Sequence, residues 1–151
     1  MAAREAHGVR LDVREQLELL VSAEGVLARA FDGLAASVKP HAADDVAPQA
    51  WYAADVCRRH IDALAPHVSA HSSPDHSRPN DVPSLPAEDL LLLASLVALA
   101  WDMVGTAAWA TADDDLGALV ERCSEQTHRQ LDWLMRRLYY QELPGSTNGR
   151  D

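Results

Sequence analysis

Four stretches of this chain place apolar residues every three or four positions, with proline-bearing or polar segments between them. That spacing leaves little room for anything but helices packed on helices. In the first stretch, about 12–38, Leu17, Leu20, Leu27, Phe31, Leu34 and Val38 share one face, and Pro40 ends it. The second, about 47–68, carries Trp51, Ala54, Cys57, Ile61, Leu64 and Val68, with Asp44 or Asp45 as a cap and Pro66 in its last turn. The third, about 87–110, is apolar almost all round, so its phase is not fixed by pattern alone. The fourth begins near Asp113 to Asp115, carries Leu116, Val120, Cys123, Leu131, Leu134 and Leu138, and closes at Pro144 and Gly145, with 146–151 as a frayed tail.

Loop lengths then constrain topology. Short links join the first helix to the second and the third to the fourth, which predicts two antiparallel hairpins. Residues 71–86 are rich in Ser, Pro, Asp and His without apolar period and read as an extended loop. Stretched out, that loop spans roughly 50 Å, against roughly 30 Å for a twenty-residue helix, so it is long enough to cross the whole bundle. The expectation is one all-α domain over 1–151, an antiparallel four-helix bundle running up-down-down-up. An up-down-up-down course with a slack loop stays open.

Charge narrows the function classes. Asp and Glu outnumber Lys and Arg 23 to 13, a formal net charge of -10, which repels phosphate backbones and anionic headgroups. Neither nucleic acid nor a membrane surface is expected as a partner. The first twenty residues alternate charged with apolar side chains and lack the apolar core of a signal peptide. The long apolar run from Leu90 to Ala112 has Asp102 near its centre and no Lys or Arg anchor beside it, so it reads as a buried helix rather than a membrane span. Two cysteines, Cys57 and Cys123, stand apart inside helices; reduced thiols and a cytoplasmic location are expected.

Polar residues on apolar faces are the candidates for chemistry. At about 100° per residue, Glu24 lies roughly 40° from the centre of the first helix's apolar face. An inward carboxylate needs a partner, a proton or a wet interface. Cys57 falls near the centre of the second helix's stripe with His60 roughly 70° to one side. Together they suit a soft metal such as zinc; separately they are a core thiol and a boundary histidine. On the fourth helix Glu121, Glu125, His128 and Asp132 form one polar strip, predicted to face water. On the third, Glu88, Ser95, Asp102 and Thr106 form a thin polar stripe facing either solvent or Glu24. If it faces solvent, part of the apolar remainder, including Trp101, Trp109, Leu90, Leu93, Val97 and Val104, is left for a partner, and a homodimer through this helix is expected. His67, His71, Asp75 and His76 lie on or beside the long loop at a spacing that also suits a flexible metal clip.

With a long crossover between its second and third helices, and with Glu24, the run Cys57-Arg58-Arg59-His60, Asp102 and Glu125-Gln126-Thr127-His128 on successive helices, the chain resembles the ferritin-like superfamily. That resemblance implies a metal centre, iron or zinc, held by Glu24, His60, Asp102, Glu125 and His128. The chain departs from the pattern at Cys57, where the family has Glu, and at Asp102, where it also has Glu. His60 and His128 are similar to the histidines of DinB-like bundles, although Asp132 stands where the last histidine of that motif belongs. Two functions follow: a non-catalytic binding module that dimerises, or a metal-binding oxidoreductase of ferritin-like or DinB-like type. No small-molecule ligand is specified by the sequence.

Overall fold

A computed structural model describes residues 12–38, 46–68 and 85–142. Four helices account for nearly all of them: α1 (Val13–Ser37), α2 (Val46–Leu64), α3 (Ala87–Ala110) and α4 (Asp114–Glu142), with no strand among the described residues. The expected caps Asp44 and Asp45, most of the long loop with His71, Asp75 and His76, and the 146–151 tail lie outside the described residues.

The helices form a bundle in which α1 packs on α2 and on α3, α3 packs on α4, and α2 approaches α4 only sparsely. Among the described residues α1 makes no close backbone approach to α4, nor α2 to α3, so the ring order is α1, α2, α4, α3. Leu20, Leu27, Phe31, Leu64, Leu90, Val97, Trp101 and Val104 are completely buried at its centre. α2 meets its neighbours through Ala50, Ala53 and Ala54, small residues that bring it close to α1. Glycine does the same for α3 and α4: a methyl group on Gly105 would come within 2.9 Å of the Val120 Cγ1 atom.

Two helix ends follow from local chemistry. α2 stops at Leu64, four residues short of the expected end, because Pro66 has no N–H and disfavours helical backbone at Ala65. The α3 end is a Schellman turn: the Asp113 N–H donates to the Ala108 carbonyl (2.9 Å) and the Ala112 N–H to that of Trp109 (3.2 Å). Asp113 then caps α4, its Oδ1 accepting from the Leu116 N–H at 3.0 Å. The turn needs a left-handed residue, and here that residue is Ala112, at φ 52°. An L side chain there costs roughly 1–2 kcal/mol. Ala112→Gly is therefore expected to stabilise the protein by about 1 kcal/mol, offset in part by glycine's greater unfolded-state entropy. Chemical denaturation of the two proteins measures the difference.

Trp51 departs from its expected place in the α2 apolar stripe: it is 57% exposed. The buried α2 face runs through Val46, Ala50, Ala53, Cys57, His60 and Leu64, rotated toward His60 and away from Trp51.

Candidate functional site

One buried polar centre joins all four helices. Glu24 on α1 and His60 on α2 are 0% and 2% exposed, and the His60 Nδ1 atom lies 2.8 Å from Glu24 Oε1. From α3 the Trp101 indole N–H donates to the same oxygen at 2.6 Å. The indole also stands edge-on to the imidazole, ring centroids 5.4 Å apart at 81°. On α4, Gln126 places its Oε1 atom 2.8 Å from His60 Nε2. Beside this group Gln130 donates its amide to the Ala53 carbonyl at 3.3 Å and approaches the Cys57 thiol at 3.9 Å.

The partners decide the protonation of His60. As placed, both ring nitrogens face oxygen acceptors, Glu24 Oε1 and Gln126 Oε1, an arrangement that an imidazolium, with an N–H on each nitrogen, satisfies. Burial alone would lower its pKa, but hydrogen bonds to Cys123 and Glu24, the Glu24 charge and the Gln126 bond outweigh it and raise the value to about 10. The Cys57 thiol is pushed up, first by burial and then by the Glu24 charge and hydrogen bond. It therefore stays a thiol. The second oxygen of Glu24, Oε2, is buried with no hydrogen-bond partner among the described residues.

Of the five residues implied as metal ligands, the fold brings together Glu24 and His60 and separates the other three. Asp102 is exposed on the outer side of α3. Glu125 is exposed and paired with Arg129 one turn along α4. His128 is exposed, its Nδ1 atom 2.7 Å from the Ser124 carbonyl. Among the described residues no three His, Cys, Asp or Glu side chains gather as a metal-binding group. The Glu24 oxygen nearest His60 is also occupied by the Trp101 N–H. These residues do not fit a ferritin-like or DinB-like metal centre, because the α4 register that buries Leu116, Val120, Thr127 and Leu134 turns Glu125 and His128 to water. His67, the described member of the histidine-rich run, is half-buried in the turn after α2, its backbone N–H donating to the Leu64 carbonyl at 2.9 Å.

Three members of the buried centre, Trp101, Gln126 and Gln130, did not stand out in the sequence as polar partners. Gln130 carried a readable signal, since it sits three residues after Thr127 on the α4 apolar face. Trp101 carried none, because an apolar helix does not reveal which indole N–H will meet a carboxylate.

Two surfaces flank this centre. On α3 the Glu88, Ser95, Asp102 and Thr106 stripe faces solvent, and Leu92, Leu96, Leu99 and Met103 beside it are 61%, 55%, 55% and 40% exposed. The residues left over for a partner are thus not those anticipated: Leu90, Val97, Trp101 and Val104 are core, Leu93 is half-buried, and only Trp109, at 85%, is exposed as expected. The polar stripe lies on the flank of the exposed face, not opposite the core, and that displacement exchanged one set of leucines and valines for another. α3 is also the one described helix long and apolar enough to cross a membrane. The second surface is a groove of about 310 Å³ where α2 and α4 diverge.

The chain matches no protein-family model, and comparison with curated proteins and with solved structures finds no match either.

Proposed function

We propose that this protein is a non-catalytic interaction module that pairs with a second copy of itself through the outer face of α3. The observation that carries the reading is the row Leu92, Leu96, Leu99 and Met103, exposed at 40% or more. Its 4-3-4 spacing is that of the apolar seam of a helix pair, where such residues interlock with their counterparts. α3 has no Lys or Arg and four exposed polar positions, Glu88, Asp89, Ser95 and Asp102, on its N-terminal two-thirds. A parallel pair would set Glu88 against Glu88 and Asp102 against Asp102. With a two-fold axis between Leu96 and Leu99 the copies run in opposite directions. Leu92 then meets Met103, Glu88 and Asp89 lie beside Thr106 and Ala107, and no like charges face each other.

Within one copy we read the helices as running up-down-down-up, the ferritin-like course. Two cross-contacts support that direction: His60 meets Gln126 while Cys57 and Ala53 meet Gln130, so numbers rise along α2 as they fall along α4. Cysteines kept as buried thiols and an acidic surface fit a cytoplasmic setting.

The test is sedimentation equilibrium over the micromolar range. Wild-type protein is expected at twice its monomer mass. The Leu96→Glu/Leu99→Glu variant, which would bury carboxylates without partners at the seam, is expected as a monomer of unchanged helicity. A monomeric wild type, or a variant that still pairs, overturns the reading.

A further inference from the structure

The groove between α2 and α4 has the features of a ligand site, and it owes nothing to α3. Its volume, about 310 Å³, lies at the small end of the range for small-molecule pockets. Tyr52, Val56 and Trp133 supply flat or apolar walls; Gln126, Gln130 and Arg129 supply the polar atoms. The hydrogen bonds already made by those polar side chains define what remains for a ligand.

Gln130 spends an N–H on the Ala53 carbonyl and faces Cys57 with the rest of its amide. Arg129 is paired with Glu125 and its charge is offset there. Gln126 differs, because its Oε1 is held by the His60 Nε2–H at 2.8 Å. The Glu24 carboxylate at Nδ1 keeps the ring charged, and turning the amide over would set its own N–H against the Nε2–H. Its NH2 group is therefore fixed in orientation, is polarised by the charge behind it, and has no protein partner among the described residues. The groove presents an oriented donor between aromatic walls.

That donor calls for an acceptor. An anion is the poorer choice: the chain carries a net charge of -10, and the guanidiniums at the groove, Arg129 in its lining and Arg59 over the Tyr52 ring, are paired with Glu125 and Asp55. We propose that the groove binds a small uncharged aromatic molecule bearing a carbonyl group, its ring between Tyr52 and Trp133 and its oxygen accepting from the Gln126 side-chain amide. Binding costs little reorganisation, because His60 already holds the donor in place.

Acetophenone is the probe, titrated into the intact protein and followed by the Gln126 side-chain NH2 and Trp133 indole NMR signals. Saturable shifts confined to those groups and their neighbours are expected. Ethylbenzene, the same shape without the oxygen, and benzoate, its anionic counterpart, are each expected to bind about tenfold more weakly, the loss of one good hydrogen bond. Gln126→Glu keeps an oxygen for His60 and so keeps the fold, but replaces the donor with a carboxylate; acetophenone binding should fall by about tenfold or more. Ethylbenzene or benzoate binding as tightly as acetophenone, an unaltered affinity in a folded Gln126→Glu protein, or no acetophenone shifts at the groove would each overturn the proposal.

Discussion

Glu24→Ala lowers the unfolding free energy by about 3–5 kcal/mol, the range for removing one partner of a buried ion pair. The size of the loss follows from what the substitution leaves behind. The His60 Nδ1–H and the Trp101 indole N–H both donate to Glu24 Oε1, and both are buried where no water replaces that acceptor. The imidazolium, left with Gln126 and the Cys123 sulfur, would then be an uncompensated charge in the core. Replacing both members, Glu24→Leu with His60→Leu, removes the charges together and is expected to recover most of the stability, leaving the Trp101 N–H and the Gln126 Oε1 as the unpaired groups. Urea unfolding of the single and double variants, followed by circular dichroism, checks both statements. A loss below about 1 kcal/mol in Glu24→Ala would mean that the pair is only an ordinary hydrogen bond.

Raising the pH destabilises the protein through the same pair. His60 has its pKa raised from 6.5 to about 10. A histidine that binds its proton more tightly when folded adds stability that is complete below 6.5 and is lost as pH rises through 10. Between those limits the slope reaches at most about 1.4 kcal/mol per pH unit. The groups facing the pair are Trp101 from α3, and Cys123 and Gln126 from α4, around His60, with Cys57 from α2 beside Glu24. Of these, Cys57 is pushed up beyond the window and does not compete for the change. Unfolding free energies of wild type and a folded His60→Gln variant, measured across this window, should converge as pH rises. A constant difference would exclude titration of His60.

The four helices were legible because each stripe of Leu, Val and Phe repeats at helical spacing and each is ended by Pro or by polar residues. The inward turn of Glu24 was legible too: it sits between Leu20 and Leu27, and the fold buries all three. His60 was harder. The bulk of Trp51 draws the apparent centre of the α2 stripe toward itself, whereas the packed face is set by Ala50, Ala53 and Ala54, whose small side chains carry little weight in a hydrophobic pattern but permit close approach. His60 consequently lies inside the core and not at its boundary. For α3, a helix apolar on nearly every side, sequence gives no phase, so the exchange of Leu92, Leu96 and Leu99 for Leu90, Val97 and Val104 on the outer face could be settled only by what packs against it. The Glu-x-x-His match on α4 ran along residues whose register faces water, and there the apolar register was the stronger signal.

The most direct test of this account is the protonation of His60, on which both the core and the oriented amide of Gln126 depend. Nitrogen NMR of ¹⁵N-histidine-labelled protein reads each ring nitrogen separately. Two protonated nitrogens that persist as pH climbs through 6.5 are the predicted result. A His60 ring carrying a single proton at neutral pH, or titrating near 6.5, would contradict it.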